Sequence, residues 1–209
     1  MNEIIEKKPT WVVALTGASG MRYALRLLQV AAPHLAELHL ILSEAAMRVL
    51  NEEEGLAISP SRLSTQSLLG EELSNVRFHS VKDIGAPIAS GSHICDGMVI
   101  VPCSMSTLGA IANGVATNLI HRTAEVALKE RRPLILVPRE TPLSAIHLEN
   151  MLKLSRLGVS ITPAMPGFYH KPQNLDDLVD MLVMKILDQM KIQTSLVTRW
   201  TGKAPLERA

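Results

Sequence analysis

Two short runs, MVIVPCS at residues 98–104 and PLILVP at residues 133–138, constrain the fold of this chain more than any other feature. Each is largely an unbroken aliphatic series, too short for a buried helix and ended by turn-forming residues. Continuous branched-aliphatic runs of this length suit strands buried on both faces, which occur where helices cover a parallel sheet on each side. WVVALT (residues 11–16) and LHLILS (residues 38–43) repeat the pattern, and VSITPA (residues 159–164) is expected to be the last strand. The Ser-rich stretch at residues 55–78 is weaker and predicts a helix and a short strand near Val76.

Helical patterns fill the intervals. One runs through Tyr23, Leu27 and Leu28, and another from Glu44 towards Glu53. Thr141 is expected to cap a helix with Pro142 at its first position and Gly158 beyond its end. Asn174, followed by Asp176 and Asp177, opens a last helix whose apolar stripe includes Leu175, Leu178, Leu182 and Ile186. The alternation predicts one α/β domain: a three-layer, doubly wound parallel sheet of the Rossmann or flavodoxin kind. Its bounds are placed at residues 11–190. Residues 1–10 are expected to be a flexible segment, and residues 191–209 a tail packing on a neighbouring subunit, because Trp200 is an indole in polar company.

Composition narrows the function. The 209 residues suit a single core, with 47% apolar and 20% charged. A net charge of +1 without a basic block speaks against nucleic acid as a partner. Aromatics are 3%, so the core must be aliphatic. Cys95 and Cys103 make no disulfide framework, no run approaches the roughly 18 apolar residues of a membrane span, and residues 1–10 lack the apolar stretch of a signal peptide. A cytoplasmic protein is expected. The seven histidines show no HxxxH or HExxH spacing, and no metal site is predicted.

Ligands of doubly wound sheets lie at the carboxyl ends of the strands, so residues just after each strand matter most. TGASG (residues 16–20) follows the first. Its small residues let backbone amides approach a phosphate or a flavin; a plain tight turn is the other reading. It is neither a GxxxxGK[ST] loop nor a GxGxxG fingerprint, although Glu44 lies where a ribose-binding acid of an NAD site could occur. Ser104, Ser106 and Thr107 offer hydroxyls at a helix start, where ordinary capping also uses them. Cys103 reads as a small buried residue rather than a nucleophile. Arg122, Lys129, Arg131, Arg132 and Arg139 form a cationic stretch, of which residues 129–132 suit a helix C-terminus. Arg139 and Glu140, adjacent at a strand end, pair an anion-binding fork with a carboxylate able to move a proton, or else form a local salt bridge. Tyr169, in MPGFYH, stands after the last strand, and Lys185 projects near the last helix's apolar stripe, by snorkelling or toward an anion.

The stretches TGASG, SEAA, APIASGS, PCSMSTL, RTAEVALKERRPLILVPRETP and PGFYHKPQ, spread over residues 11–200, resemble the UbiX family of flavin prenyltransferases. The resemblance implies transfer of a dimethylallyl group from dimethylallyl monophosphate to N5 and C6 of reduced FMN, without a metal. The product would be prenylated FMN for UbiD-type decarboxylases, ubiquinone biosynthesis being the expected pathway. It also implies a dodecamer with sites at subunit interfaces. Carried over by motif, Gly17, Ala18, Ser19, Ser43, Ser104, Met105, Ser106, Thr107 and Arg139 would contact FMN, and Arg122, Lys129, Glu140, Tyr169 and Lys185 the dimethylallyl phosphate. Ser19, Glu53, Glu140 and Trp200 would serve the chemistry, with Trp200 beside the prenyl group. Two positions depart from the family pattern: Glu44 stands where many relatives carry lysine, and Lys185 where several relatives have arginine. An FMN-dependent oxidative cysteine decarboxylase and a non-enzymatic flavin carrier are the alternative readings.

Overall fold

A computed structural model describes residues 8–199. Six strands form one sheet in the order β3-β2-β1-β4-β5-β6: β1 Thr10–Leu15, β2 Glu37–Leu42, β3 Val76–Ser80, β4 Gly97–Cys103, β5 Leu134–Pro138 and β6 Ser160–Ile161. Every neighbouring pair is parallel. β4 is buried along its whole length, as is β5, which is why their sequences are continuously aliphatic.

The helices are α1 Met21–Ala31, α2 Glu44–Glu54, α3 Thr65–Leu69, α4 Met105–Ala112, α5 Leu119–Lys129, α6 Ala145–Arg156 and α7 Leu175–Gln189. Alternate strand residues separate into two cores. Val13 and Leu15 of β1 join Leu27 and Leu28 of α1 and Leu182, Val183 and Ile186 of α7. Val12 and Ala14 join Leu108 of α4, Ile120 of α5 and Leu154 of α6. The expected three-layer α/β fold is therefore present, and the chain reverses its winding direction between β1 and β4, which opens the crevice where such sheets bind ligands.

Some local expectations change. The helix after β5 starts not at Pro142 but at Ala145, capped by Ser144, whose Oγ accepts from the His147 amide at 3.3 Å while the Ser144 amide donates to His147 Nδ1 at 3.3 Å. Leu143 first packs onto the second core, which delays the helix until this reciprocal cap. Gly158 does follow that helix, at φ 87°. Only Ser160–Ile161 of the sixth run joins the ladder, although the Thr162 amide still donates to Leu136 O and the Ala164 amide to Pro138 O; between them Pro163 has no N–H to give. Leu175 is 58% exposed and does not belong to the α7 stripe, which is carried by Val179, Leu182, Val183 and Ile186.

The domain's limits also move. Thr10 already pairs in β1, and Lys8 donates to Pro33 O at 2.8 Å. Beyond α7, Ile192 is buried in the first core and Leu196 packs against it. Arg199 grips Asp188 of α7 at 2.9 and 2.5 Å. The described part of the tail, residues 191–199, thus makes contacts with its own chain. Residues 1–7 and 200–209 lie outside the described residues, and the expectation for Trp200 lies with them.

Candidate active site

The loops after β1, β2, β4 and β5 converge at the carboxyl edge of the sheet, stitched together by backbone bonds. Thr16 is the hub. Its hydroxyl donates to Pro102 O at 2.9 Å and accepts from the Ser104 amide at 2.7 Å, and its own amide donates to Pro102 O at 3.2 Å. The Ser43 amide donates to Leu15 O at 3.0 Å. A buried threonine whose hydroxyl both gives and receives holds the turn after β1 against the start of α4.

Gly17 has a structural reason to lack a side chain: a Cβ there would stand 2.5 Å from Ala45 Cβ, so the turn could not close on α2. Gly20 takes φ 106°, a left-handed conformation that opens α1. Gly20 itself has no capping side chain. Glu53, near the end of α2, supplies the acceptor instead, taking hydrogen bonds from the Gly20 amide at 2.9 Å and the Met21 amide at 2.9 Å. A carboxylate at a helix N-terminus satisfies amides that would otherwise be orphaned and complements the helix dipole. Partial burial raises the Glu53 carboxyl pKa. Hydrogen bonding from the Ser19 side chain and from the Met21 and Gly20 amides, with the charge of Arg139, outweighs this and holds it below the usual carboxylate value. Ser19, Glu53 and Arg139 therefore meet, although 34 and 86 residues separate Glu53 from the other two in sequence.

Two helix starts complete the edge. Ser43 caps α2, its Oγ accepting from the Ala46 amide at 3.0 Å. Ser104 caps α4 and lies 3.2 Å from Ser106 Oγ and 3.0 Å from Thr107 Oγ1. The capping reading holds for Ser104, whose Oγ accepts from the Thr107 amide at 3.3 Å, and not for Ser106 or Thr107, with Ser106 exposed at the helix start. Met105 is buried beneath them. Cys103 is wholly buried, and desolvation pushes its thiol up to about 12, which fits the small core residue expected from the sequence.

After β5, Arg139 is half-buried, with its Nε shielded from solvent and making no hydrogen bond within the described residues. Glu140 is exposed and accepts from the Thr141 amide at 3.0 Å. Neither side chain forms an ion pair with the other, so the local salt bridge weighed for them is absent. The bond from Ala164 to Pro138 O brings the following segment to this corner, where Tyr169 lies edge-on to His170 at 5.7 Å between ring centroids. Lys185 of α7 is exposed between buried neighbours, one turn from Asp188. The Asp188 carboxyl is held below its usual value first by hydrogen bonding to Arg199, then by the charges of Arg199 and Lys185. Arg199, which drew no attention in the sequence, is a second cation beside Lys185 and Tyr169. Its only sequence signal was its place next to Trp200.

Two predicted residues stand apart. Arg122, in the first turn of α5, pairs with Glu125 at 3.3 Å. Lys129 lies at the other end of that helix, about 10 Å further along its axis, where it pairs with Glu130 and faces Gly91. Because α5 runs back from the carboxyl edge of the sheet, Lys129 lies on the side away from Arg139. Glu44 forms an ion pair with Lys82 at 2.7 Å and borders a cavity of about 310 Å³ lined by Met47, Leu63 and Phe78.

A doubly wound sheet with hydroxyl-rich helix starts, a free-edged arginine and a glycine-pinned turn at its switch point defines an α/β flavin-binding protein, and the Flavoprotein family model matches residues 2–187. The sequence is 50% identical to flavin prenyltransferase UbiX of Alkalihalophilus pseudofirmus over 200 residues, covering 96% of this chain and 99% of that one. Its fold matches a crystal structure of AnUbiX (PadA1) in complex with FMN and dimethylallyl pyrophosphate, with a TM-score of 0.84 and 41% identity, covering 95% of this chain and 100% of that one. It likewise matches a dodecameric FMN-dependent UbiX-like decarboxylase from Escherichia coli O157:H7, with a TM-score of 0.82 and 42% identity over 92% of this chain and 100% of that one. The chain belongs to the UbiX family of flavin prenyltransferases.

Proposed function

We propose that this site joins a dimethylallyl group from dimethylallyl monophosphate to N5 and C6 of reduced FMN. The observation that carries the reading is the convergence of Ser19, Glu53 and Arg139 at the switch-point crevice. The residues fit an anionic flavin: Arg139 Nε is buried and unsatisfied, a donor awaiting an acceptor, and the Ser104, Ser106 and Thr107 hydroxyls cluster at the start of α4. In this reading Gly17, Ala18, Ser19, Ser43 and Met105 also contact the flavin. When bound, the reduced flavin supplies the nucleophile.

The chain's own residues do the rest. Breaking the allylic C–O bond leaves a phosphate, and cations fixed in advance around it lower the barrier by matching charge that develops as the bond breaks. Lys185, with Arg199 beside it, holds the phosphate from α7, and Tyr169 closes that side. Lys185 offers a point charge where many relatives have a guanidinium fork, and the neighbouring Arg199 supplies such a fork. Glu140, exposed at the end of β5, passes protons between the phosphate and the prenylated ring. Glu53 is engaged by two backbone amides, so its role is to fix the turn that carries Ser19. Trp200 is read as the π face beside the allylic cation.

Lys129 lies on the far side of the chain from Arg139, so its phosphate-binding role requires a second subunit. A homo-oligomer with shared sites, a dodecamer by likeness to the E. coli protein, is part of the reading. Cytoplasmic location, a UbiD-type decarboxylase as recipient of the product and a ubiquinone-type pathway complete it. No described helix is long and apolar enough to cross a membrane.

Anaerobic incubation with reduced FMN and dimethylallyl monophosphate, followed by mass spectrometry of the extracted flavin, tests the proposal. The expected result is a gain of one prenyl unit, abolished in Glu140→Gln and in Arg139→Ala. Unmodified, tightly bound FMN would instead favour the flavin carrier. Loss of carbon dioxide from a cysteine peptide would favour the oxidative decarboxylase.

A further inference from the structure

The histidine spacing predicts no metal site, yet two pairs of candidate ligands, Glu37 with His39 and His93 with Cys95, come together beside β2 from segments more than fifty residues apart in sequence. Here Val12 of β1 pairs with His39 in register, and His39 points into the second core with 5% of its side chain exposed. His39 Nε2 lies 3.3 Å from His93 Nε2 and 3.4 Å from Glu37 Oε2. The ligating atoms of His39, His93 and Cys95 all fall within 4.8 Å of one another. Cys95 is buried and unpaired.

We propose that His39, His93, Cys95 and Glu37 form a tetrahedral site for a divalent transition metal of the zinc class, separate from the prenyl-transfer site. Distance supports this first. With metal–nitrogen and metal–oxygen bonds of about 2.0–2.1 Å, the edges of a tetrahedron are about 3.3–3.4 Å. The His39–His93 and His39–Glu37 separations already have that length. The Cys95 sulfur, within 4.8 Å of the other two, has to close in by about 1 Å or a little more, and the Glu37 carboxylate, already beside His39, has to swing toward His93 and Cys95 to complete the figure.

Hydrogen-bond accounting supports it next. His39 Nε2 faces both a carboxylate oxygen and another ring nitrogen, and carries at most one hydrogen to share between them. A cation on the lone pairs satisfies all of them at once. The other ring nitrogen, His39 Nδ1, lies 2.9 Å from His79 Nε2. This is the outer partner that metal-bound imidazoles regularly keep, and it leaves Nε2 free for a metal. Glu37 divides its oxygens, Oε1 accepting from Arg77 at 2.9 Å while Oε2 turns to His39.

The backbone is held ready as well. Arg132 donates to His93 O at 2.7 Å and to Gly91 O at 2.6 Å, and Asp96 exchanges two 2.7 Å bonds with Thr10. The loop carrying His93 and Cys95 is therefore clamped at both ends. Arg132 is thereby explained: rather than complementing a helix dipole, it shapes this loop. Glu37 opens β2 and Cys95 lies two residues before β4, so the ligands cluster toward the amino edge of the sheet, opposite the flavin crevice. A metal there clips β2 and β3 to the loop entering β4. Binding converts the Cys95 thiol to a thiolate and releases one proton.

The test uses the full chain, stripped with chelator and titrated with Co²⁺ alone. We expect one ion per chain, the intense visible bands of tetrahedral cobalt and a thiolate-to-cobalt charge-transfer band, all displaced by Zn²⁺. Cys95→Ser should lose the charge-transfer band, and His93→Gln should bind at least tenfold more weakly. His79→Ala should weaken uptake about 10- to 100-fold while keeping the band, as expected of a positioning residue. FMN binding reports whether each variant is folded. Zinc X-ray absorption on the parent protein needs no variant, and one sulfur among nitrogen and oxygen neighbours is the expected shell. No stoichiometric uptake, an all-oxygen shell, or a band unchanged in Cys95→Ser would overturn the proposal.

Discussion

Glu53 concentrates the physics of the site in one side chain. Its carboxylate substitutes for the missing cap of α1, and losing a helix cap costs about 0.5–2 kcal/mol. Glu53→Gln retains one acceptor but no charge. We expect a lower melting temperature and weaker prenylation, since the turn bearing Ser19 loosens, with FMN affinity and turnover measured side by side. The pH dependence follows from the sign of the shift. The folded carboxyl lies below its ordinary value of 4.5, so the stability it contributes is fully present above that pH and is lost as the pH falls through the depressed folded value. In Glu53→Gln that acid-side loss should be smaller, read as a flatter curve of melting temperature against pH below about 4.5. Sequence alone exposed the glutamate only as one of three in a row, NEEEG. The family resemblance singled out Glu53, and the geometry gives the physical reason: Glu52 pairs with Arg48 and Glu54 with Arg22, while Glu53 turns to the loop. The histidine cluster was illegible, since its members are brought together by strand register and a clamped loop, not by spacing.

At the scale of elements, strands and helices were readable because each carries its burial in its composition. β4 and β5 could be nothing but central strands, and Ile100, wholly buried at the middle of β4, shows what that is worth. Ile100→Ala should destabilise the chain by about 2–5 kcal/mol, seen in denaturant titration as a lower midpoint with an unchanged slope. α7 was equally legible at its start. Asn174 accepts from the Asp177 amide at 3.0 Å while Asp177 reaches back to the Asn174 amide, a reciprocal cap written in the sequence as N-L-D-D. Asn174→Ala should cost about 0.5–2 kcal/mol and lower the affinity for dimethylallyl phosphate with it, because Lys185 rides on that helix. Less was readable where two good signals competed. Thr141-Pro142 and Ser144 both announce a helix start, and packing of Leu143 decided for the second.

At the scale of the whole molecule, the proposed site draws on more than one chain. α5 carries Arg122 and Lys129 near opposite ends, and in the proposed reading Lys129 reaches an Arg139 crevice from another copy. α6 supports association: Leu148 and Leu152, one turn apart, are each 52% exposed, and Ile146 is 67% exposed, apolar side chains that a lone subunit would leave in water. Mixing separately inactive Lys129→Ala and Arg139→Ala chains, unfolding and refolding them together, should restore a measurable fraction of activity, because some sites then combine two intact contributions. Separate refolding should restore none. The family resemblance implied shared sites, and the place where α5 ends relative to the sheet gives the physical reason for dividing them. The same view gives the turn after β1 a further meaning. In a protein that carries a dinucleotide, the positive end of the first helix is left vacant for a pyrophosphate; here a resident negative charge, Glu53, already occupies it. The chain has in effect closed its door to doubly charged adenine cofactors, and a descendant that recruited NAD would have to discard Glu53 before it could gain anything from its glycines.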